Sequence, residues 1–156
     1  MAGGVHIQVN ATEVSDALRS MAASMSDRRI PNRQLAVQMS SWIARNFKAE
    51  GSLNLPWAPL AESTANRKVK GVRRGYDHIL VGIGPGGGTL RASFTQFSYD
   101  NDSATVGTDI PYAEFHEDGG PNLPRRPMLP TPEIALRDAV DVYDNYIKRS
   151  ADKAGL

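Results

Sequence analysis

Cysteine is absent from this chain of 156 residues, and so is any long apolar run. Without cysteine the chain has no disulfide, no thiolate nucleophile and no cysteine-bound zinc or iron–sulfur cluster. No apolar stretch approaches the roughly 20 residues of a membrane helix, and the start at Met1 lacks the basic and apolar regions of a signal peptide. These absences predict a protein without redox chemistry or membrane contact that stays in the cytoplasm where it is made.

The spacings that mark catalytic and metal sites are missing as well. The chain has three histidines, in neither His-x-x-x-His nor His-Glu-x-x-His order, and no Gly-x-Ser-x-Gly. His116 lies among carboxylates at positions 114, 117 and 118, which admits an acid–base or metal site as one interpretation. A metal site needs more ligands than this group supplies, so a surface or interface histidine is favoured. We therefore predict no catalytic residue, no metal, no cofactor and no enzyme.

A glycine-rich run from Gly82 to Gly88 follows His78 to Val81, which has strand character. The backbone amides of such a run can cradle phosphate, which admits a nucleotide-binding loop. However, no Gly-Lys-Ser/Thr follows, and the run does not lie in a βαβ unit with an acidic residue about twenty positions on. A plain flexible loop is the favoured interpretation.

Charge is distributed in two blocks of opposite sign, although the net charge is only +1. The two blocks would complement each other in a head-to-tail contact between identical subunits, and the alternative is two solvated surfaces. The basic block consists of Arg67, Lys68, Lys70, Arg73 and Arg74. The acidic block consists of Asp100, Asp102, Asp109, Glu114, Glu117 and Asp118.

The basic block also suits phosphate binding, with an affinity that would depend strongly on salt. Only Tyr76 lies beside it for base stacking, which is little for single-strand recognition. A protein contact or a solvated face is therefore favoured over sequence-directed nucleic-acid binding.

Apolar residues spaced by three and four predict two N-terminal helices. The first is capped by Asn10 or Thr12, and the second runs from about Asn32 to a stop at Gly51. The apolar positions are Val14, Leu18, Met21 and Met25 in the first helix, and Leu35, Met39, Trp42, Ile43 and Phe47 in the second.

A third long helix is predicted at the C-terminus. Thr131-Pro132-Glu133 supplies a capping hydroxyl, a proline for the first turn and an acid near the positive end of the helix dipole. The helix should run to about Arg149. The apolar positions that we expect to face the core are Leu136, Val140, Tyr143 and Ile147.

The middle of the chain reads as loops, a short helix and a hairpin. Ser52 to Leu60 is expected to be an ordered loop anchored by Trp57, and Pro59 to open a short helix through Lys68. Leu90 to Tyr99 is predicted as one strand and Ala104 to Val106 as its hairpin partner.

Four prolines between Pro121 and Pro130 predict an extended segment, called the arm below, after a single helical turn from Pro111 to Glu117. The proline spacing also fits a polyproline ligand. An arm packed against a neighbouring subunit is favoured, because Met128 and Leu129 need burial.

These elements together predict a single α+β domain over residues 1–156. A helical N-terminal part covers about 10–50, a sheet-containing part about 52–130, and a C-terminal helix about 131–150. We expect N-terminal helices, a central antiparallel sheet with a hairpin, and a long C-terminal helix packed on that sheet.

Several short motifs follow one another along the chain from Trp57 onward: Trp57-Ala58-Pro59-Leu60, Thr64, Ile79-Leu80, Leu90, Ser93, Val106-Gly107-Thr108, Tyr112-Ala113, His116, Gly119-Gly120 and Pro124-Arg125-Arg126-Pro127-Met128-Leu129. In the order and spacing of these motifs the chain resembles the phage virion morphogenesis, or tail completion, family of Mu G protein-like sequences. One departure is the insertion Pro85 to Gly88, where the family has a short glycine turn.

The resemblance implies a structural virion protein without catalytic residues. It implies tail completion or head–tail joining, as a tail terminator or neck component that forms a homo-oligomeric ring, expected to be a hexamer. The partners would be tail tube or neck proteins, with non-specific contact to packaged DNA, in the host cytoplasm during assembly and then in the virion.

Two alternatives remain beside this interpretation: a head-completion or capsid assembly factor, and a small nucleic-acid-binding module. We also expect the arm to reach a neighbouring subunit and to bury its Met128-Leu129 tip there. The residues predicted to form subunit or partner contacts are Trp57, Arg67, Lys68, Lys70, Arg73, Arg74, Tyr112, His116, Arg125, Arg126, Pro127, Met128 and Leu129.

Overall fold

Helices make up most of a computed structural model of the protein, which describes residues 11–70, 79–80, 89–94 and 97–156. For residues 67–70 and 89 only the backbone is described. None of the described helices is long and apolar enough to span a membrane. The elements are α1 Ala11–Ser24, α2 Arg29–Lys48, α3 Glu62–Lys70, α4 Thr89–Ser93, β1 Phe97–Tyr99, β2 Ala104–Val106, α5 Ala113–Asp118 and α6 Pro132–Ala154.

The first helix is confirmed, but its cap is not Thr12, since α1 already includes Ala11. The other predicted cap, Asn10, lies outside the described residues. Helix α1 buries no residue completely, although Met21 is half-buried, as is Met25 just beyond its C-terminal end. Its C-terminal end is fixed by α6, where the Tyr146 hydroxyl donates to the Ser24 carbonyl at 2.6 Å.

The second helix begins earlier than the sequence predicts, at Arg29 instead of Asn32. Pro31 lies in its first turn, where a missing backbone N–H costs no helical hydrogen bond. The helix ends near Gly51 as expected, and the Gly51 amide donates back to the Asn46 carbonyl at 3.0 Å. Gly51 has a φ of 88°, and a Cβ there would lie 2.3 Å from the Leu55 carbonyl oxygen, so only glycine fits.

The core forms where α2 meets residues from the middle of the chain. The Phe47 ring lies edge-on to Trp57 at 5.3 Å between centroids and 5.9 Å from Phe94. Of the predicted α2 positions, Leu35 and Met39 are only half-buried. The buried apolar residues of this cluster are Trp42, Ile43, Phe47, Trp57, Ile79, Leu90, Phe94, Ala113 and Met128.

The hairpin is confirmed, with β1 antiparallel to β2 and Phe97 opposite Val106. Its turn is held by the Asp100 carboxylate, which accepts from the amides of Asp102 and Ser103, both at 2.7 Å. These hydrogen bonds to the ionised form lower the pKa of Asp100. A side chain acting on its own turn thus fixes the register of two very short strands.

Two strand predictions are wrong. Thr89–Ser93 forms helix α4, and among the described residues of the predicted strand Leu90 to Tyr99 the extended ones are Phe97–Tyr99. Leu90 and Phe94 are both buried, which their spacing of four permits on one face of a helical turn. The other wrong prediction is a strand at His78 to Val81. Ile79 and Leu80 form a turn instead, and Leu80 has a φ of 60°. His78, Val81 and the Gly82 to Gly88 loop lie outside the described residues.

The C-terminal helix starts as predicted, with the Ile134 amide donating to the Thr131 hydroxyl and Pro132 in the first turn. It continues past the predicted end at Arg149 to Ala154. It packs mainly on α2 and α1, and α2 is the helix that contacts both strands. The main helix contact with the described hairpin is thus made by α2, where the sequence predicted α6.

The face that α6 turns to the core also differs from the prediction. Its fully buried residues are Asp138, Val142 and Ser150, and Tyr143 is half-buried with its hydroxyl donating to the Asn32 Oδ1 at 2.7 Å. The other predicted core positions point outward: Leu136, Val140 and Ile147 are 66%, 58% and 39% exposed.

Candidate partner interface

The arm is held against α2 and the Trp57 loop by hydrogen bonds to its carbonyl groups. The Trp57 indole Nε1 donates to the Pro127 carbonyl at 2.8 Å, and the Asn46 Nδ2 donates to the same oxygen at 3.2 Å. Pro127 and Met128 are fully buried beside these donors. Proline-rich segments form few hydrogen bonds between their own backbone groups. In the arm, these side chains donate the hydrogen bonds that the backbone of a neighbouring strand would donate in a sheet.

Arg126 docks the arm through its guanidinium group. The Nε and Nη2 atoms donate to the Ala58 carbonyl at 3.1 and 3.0 Å, and Nη2 also donates to the Pro59 carbonyl at 3.2 Å. Arg126 is only 5% exposed, and this burial lowers its pKa. The carbonyl oxygens accept hydrogen bonds from this buried cation, which fixes the position of the Arg126 side chain.

The C-terminal end of the arm is fixed by α5. The Glu117 carboxylate accepts from the Met128 amide at 2.7 Å and from the Leu129 amide at 3.3 Å. Between them the chain reverses at Gly119, whose φ is 78° and whose missing Cβ would lie 3.0 Å from the Arg125 amide nitrogen. Helix α5 and the arm therefore form one hydrogen-bonded unit.

His116 lies in the same unit. Its carbonyl accepts from the Arg126 amide at 2.7 Å, and its ring lies edge-on to Tyr112 at 6.3 Å. Burial lowers the pKa of the imidazole, and the charge of Arg126 lowers it further. The Nδ1 atom is buried and has no hydrogen-bond partner among the described residues. His116 is therefore neutral at pH 7 and packs against the arm instead of lying free on the surface.

The eight predicted interface residues outside the basic block separate into three groups. Trp57, Arg126, Pro127 and Met128 are buried in their own subunit, with Met128 only 1% exposed. Tyr112, Arg125 and Leu129 are exposed, and His116 is half-buried. The expectation that Met128 is buried against a neighbour is wrong, because the core beside Phe47 already encloses it.

The arm nevertheless exposes apolar surface at its end. The Asn54 Nδ2 donates to the Leu129 carbonyl at 3.5 Å, which places the loop after α2 beside the arm. Leu53, Leu55 and Leu129 are 42%, 46% and 36% exposed. We call these three residues the arm-tip patch. It lies where the sequence predicted a partner contact, but it comprises one residue of the arm and two of the loop.

The two charge blocks differ in what the structure shows of them. Arg67, Lys68 and Lys70 lie on α3 with their side chains outside the description, and Arg73 and Arg74 lie outside the described residues altogether. Within the acidic block three residues have internal roles, since Asp100 forms the hairpin turn, Asp102 pairs with Arg28 at 2.7 Å and Glu117 holds the arm. The remaining three, Asp109, Glu114 and Asp118, are exposed.

Asn46 is the main site residue that sequence reasoning missed. It is fully buried on α2, where its Nδ2 serves the arm and its Oδ1 has no partner within the described chain. The signal was available: a polar residue stands between Ile43 and Phe47 on the apolar face. Polar residues at such positions are retained to satisfy a buried backbone group.

Two comparisons with known proteins bear on the family of the chain. A sequence profile of the phage virion morphogenesis family matches residues 9–149, which include the N-terminal helices, the arm and most of α6. The chain is also similar to "Mu-like prophage FluMu G protein 2" of Haemophilus influenzae, with 31% identity over 156 aligned residues, 92% of this chain and 99% of that protein. No solved structure matches the chain. The match extends the resemblance from the Trp57 segment to the N-terminal helices, and the chain belongs to the phage virion morphogenesis family.

Proposed function

We propose that the protein is a non-catalytic structural part that completes the phage tail or joins head and tail, as a tail terminator or neck component. The observation that carries the proposal is the match to a Mu-like G protein over nearly the full length of both chains. The architecture supports it, because the arm that the sequence singles out is held by buried hydrogen bonds and presents a fixed surface.

Identical subunits form a ring in this proposal, with six copies as the expected number. A ring needs a heterologous contact, in which one surface meets a different surface of the next copy. The arm-tip patch supplies an apolar surface for one side of that contact, and the exposed Asp109, Glu114 and Asp118 supply negative charge nearby in sequence. The basic block on and after α3 provides charge of the opposite sign.

Within the virion, the ring would contact tail tube or neck proteins and touch packaged DNA without sequence preference. The protein would be present in the host cytoplasm during assembly and at the tail end or head–tail junction afterwards. Non-specific contact with DNA rests on the basic block and would weaken steeply with salt.

Deleting the gene from its phage and complementing it in trans tests the proposal. We expect DNA-filled heads and separate tails to accumulate without the protein, and joined particles to return with it. Electron microscopy of the lysate gives the readout, with cryo-EM of complemented particles to locate the protein. Empty or unstable heads beside normal tails would instead indicate head completion, and a protein absent from finished particles would contradict the neck assignment.

A further inference from the structure

Helix α6 exposes a continuous apolar ridge that its own subunit leaves open. Leu136 and Val140 are the most exposed large aliphatic residues in the described chain, at 66% and 58%, and Ile147 follows at 39%. These exposures hold with α1 and α2 already packed on the helix. The ridge runs about 16 Å along the axis from Leu136 to Ile147.

The spacing of the ridge is that of a helix-pairing seam. Leu136, Val140, Tyr143 and Ile147 follow one another at intervals of four, three and four, with β-branched residues alternating with the others. Tyr143 also belongs to the seam, because its ring is only half-buried. Its hydroxyl donates to Asn32 within the same subunit. Such a seam fits another amphipathic helix of the same period.

The charges beside the ridge indicate which amphipathic helix pairs with α6. Arg137 and Asp144 flank one side of the seam, and their side chains are 66% and 54% exposed. In an antiparallel pair of α6 helices, Leu136 meets the partner's Ile147 and Val140 meets the partner's Tyr143. This register sets Arg137 beside the partner's Asp144, and Glu133 beside the partner's Lys148.

The two-fold axis repeats each of these contacts, so one surface is complementary to itself. A parallel pair gains no such contacts, because Arg137 and Asp144 would face the flank that carries Ala139 and Tyr146. The internal ion pairs that would rearrange, Arg137 with Asp138 and Lys148 with Asp144, are exposed on at least one side and cost little to exchange.

We propose that a second copy of this chain covers the ridge, forming a two-fold antiparallel α6 pair in solution. This inference does not depend on the proposed function. A two-fold contact joins two copies and adds no further subunits, so it is separate from the contact that would form a ring. It gives the free protein a state in which the exposed apolar ridge of α6 is covered before any virion contact is made.

Cysteine crosslinking tests the pairing and its direction, since the natural chain contains no cysteine. In the antiparallel pair the two copies of residue 136 lie about 16 Å apart, while residue 136 lies opposite residue 147 of the partner. We expect Leu136→Cys and Ile147→Cys proteins to resist a short thiol crosslinker alone and to form crosslinked dimers when mixed. Self-crosslinking of each single variant, without the mixed product, would show a parallel pair and overturn the proposal.

Charge exchange tests the register by a route that does not depend on the apolar contact. Arg137→Glu and Asp144→Arg should each raise the dimer dissociation constant several-fold, because each places two like charges together in the pair. The double variant should return it to near the natural value. Sedimentation equilibrium gives the constants, and a double variant that dimerises no better than the single ones would contradict the register.

Val140→Glu, at the centre of the ridge, should weaken dimerisation by about tenfold or more. Val37→Glu is the matched control, since Val37 is a valine of similar exposure, 44%, on a different helix, α2. Circular dichroism on both variants separates loss of pairing from loss of fold. A natural protein that stays monomeric at all concentrations, or a Val140→Glu variant that dimerises like the Val37→Glu control, would overturn the proposal.

Discussion

At the scale of single residues, the arm depends on side chains that serve backbone groups. Arg126, Asn46 and Trp57 donate to carbonyl oxygens, and Glu117 accepts from two amides. Removing any one of them takes away at least one hydrogen bond that holds the arm to the rest of the subunit. Adjacent residues in the same stretch have no such role, which allows matched comparisons.

Arg126 and Arg125 form the first such comparison. Arg126→Ala removes a buried guanidinium and leaves the Ala58 and Pro59 carbonyls without their donor, which should lower the free energy of unfolding by about 2–4 kcal/mol. Arg125→Ala removes one exposed hydrogen bond to the Glu117 carbonyl and should cost less than about 1 kcal/mol. Urea unfolding measures the free energy of unfolding of both variants. Equal losses of stability would show that the carbonyl contacts of Arg126 contribute no more than the exposed hydrogen bond of Arg125.

His116 gives the stability a dependence on pH. Burial and the charge of Arg126 lower the pKa of His116 in the folded protein below the unfolded value of about 6.5. Between these two pKa values the unfolded chain therefore binds more protons than the folded chain. The free energy of unfolding should therefore be highest above pH 6.5 and fall as the pH drops from there toward the folded pKa. Urea midpoints measured across this window should fall in the natural protein and change less in His116→Gln. A slope that His116→Gln leaves unchanged would assign the effect to another group.

At the scale of elements, sequence signals that act locally predicted the structure well. Thr131, Pro132 and Glu133 mark the start of α6, and Asp100 marks the hairpin turn, because each side chain acts on backbone within three residues of itself. The positions of α4 and of the exposed α6 ridge were missed for the opposite reason. Both depend on which surfaces tertiary packing covers. The spacing of apolar residues alone cannot distinguish a helix face buried in the core from an exposed face that binds a partner.

The turn between α5 and the arm is an element whose requirement can be measured. Gly119→Ala forces a side chain into a backbone with φ 78° and brings a Cβ to 3.0 Å from the Arg125 amide nitrogen, which should cost about 1–3 kcal/mol. Gly120→Ala is the neighbouring control, because nothing lies within 4 Å of its Cβ position. Thermal unfolding of the two variants checks the difference, and a Gly120→Ala loss as large as that of Gly119→Ala would contradict this account of the turn.

At the scale of the whole molecule, stability and partner contact are carried by adjacent residues of the arm. Met128 faces inward to Phe47 and Trp57, while Leu129 faces outward with Leu53 and Leu55. The sequence predicted both as contact residues, since a Met-Leu pair behind prolines gives no sign of which side chain the subunit keeps. Which of the predicted contact residues face inward and which face outward therefore required the structure, and their contact with a partner stays a prediction.

Adjacent substitutions separate the two roles. Met128→Ala opens a cavity in the core and should lower the free energy of unfolding by about 2–5 kcal/mol. Leu129→Ala should change it by less than about 1 kcal/mol, because more than a third of the side chain is already exposed. If the arm-tip patch contacts the next subunit, Leu129→Ala should still reduce the yield of infectious particles in complementation of the deleted phage, and normal yields from a stably folded Leu129→Ala protein would remove the patch from the assembly contact.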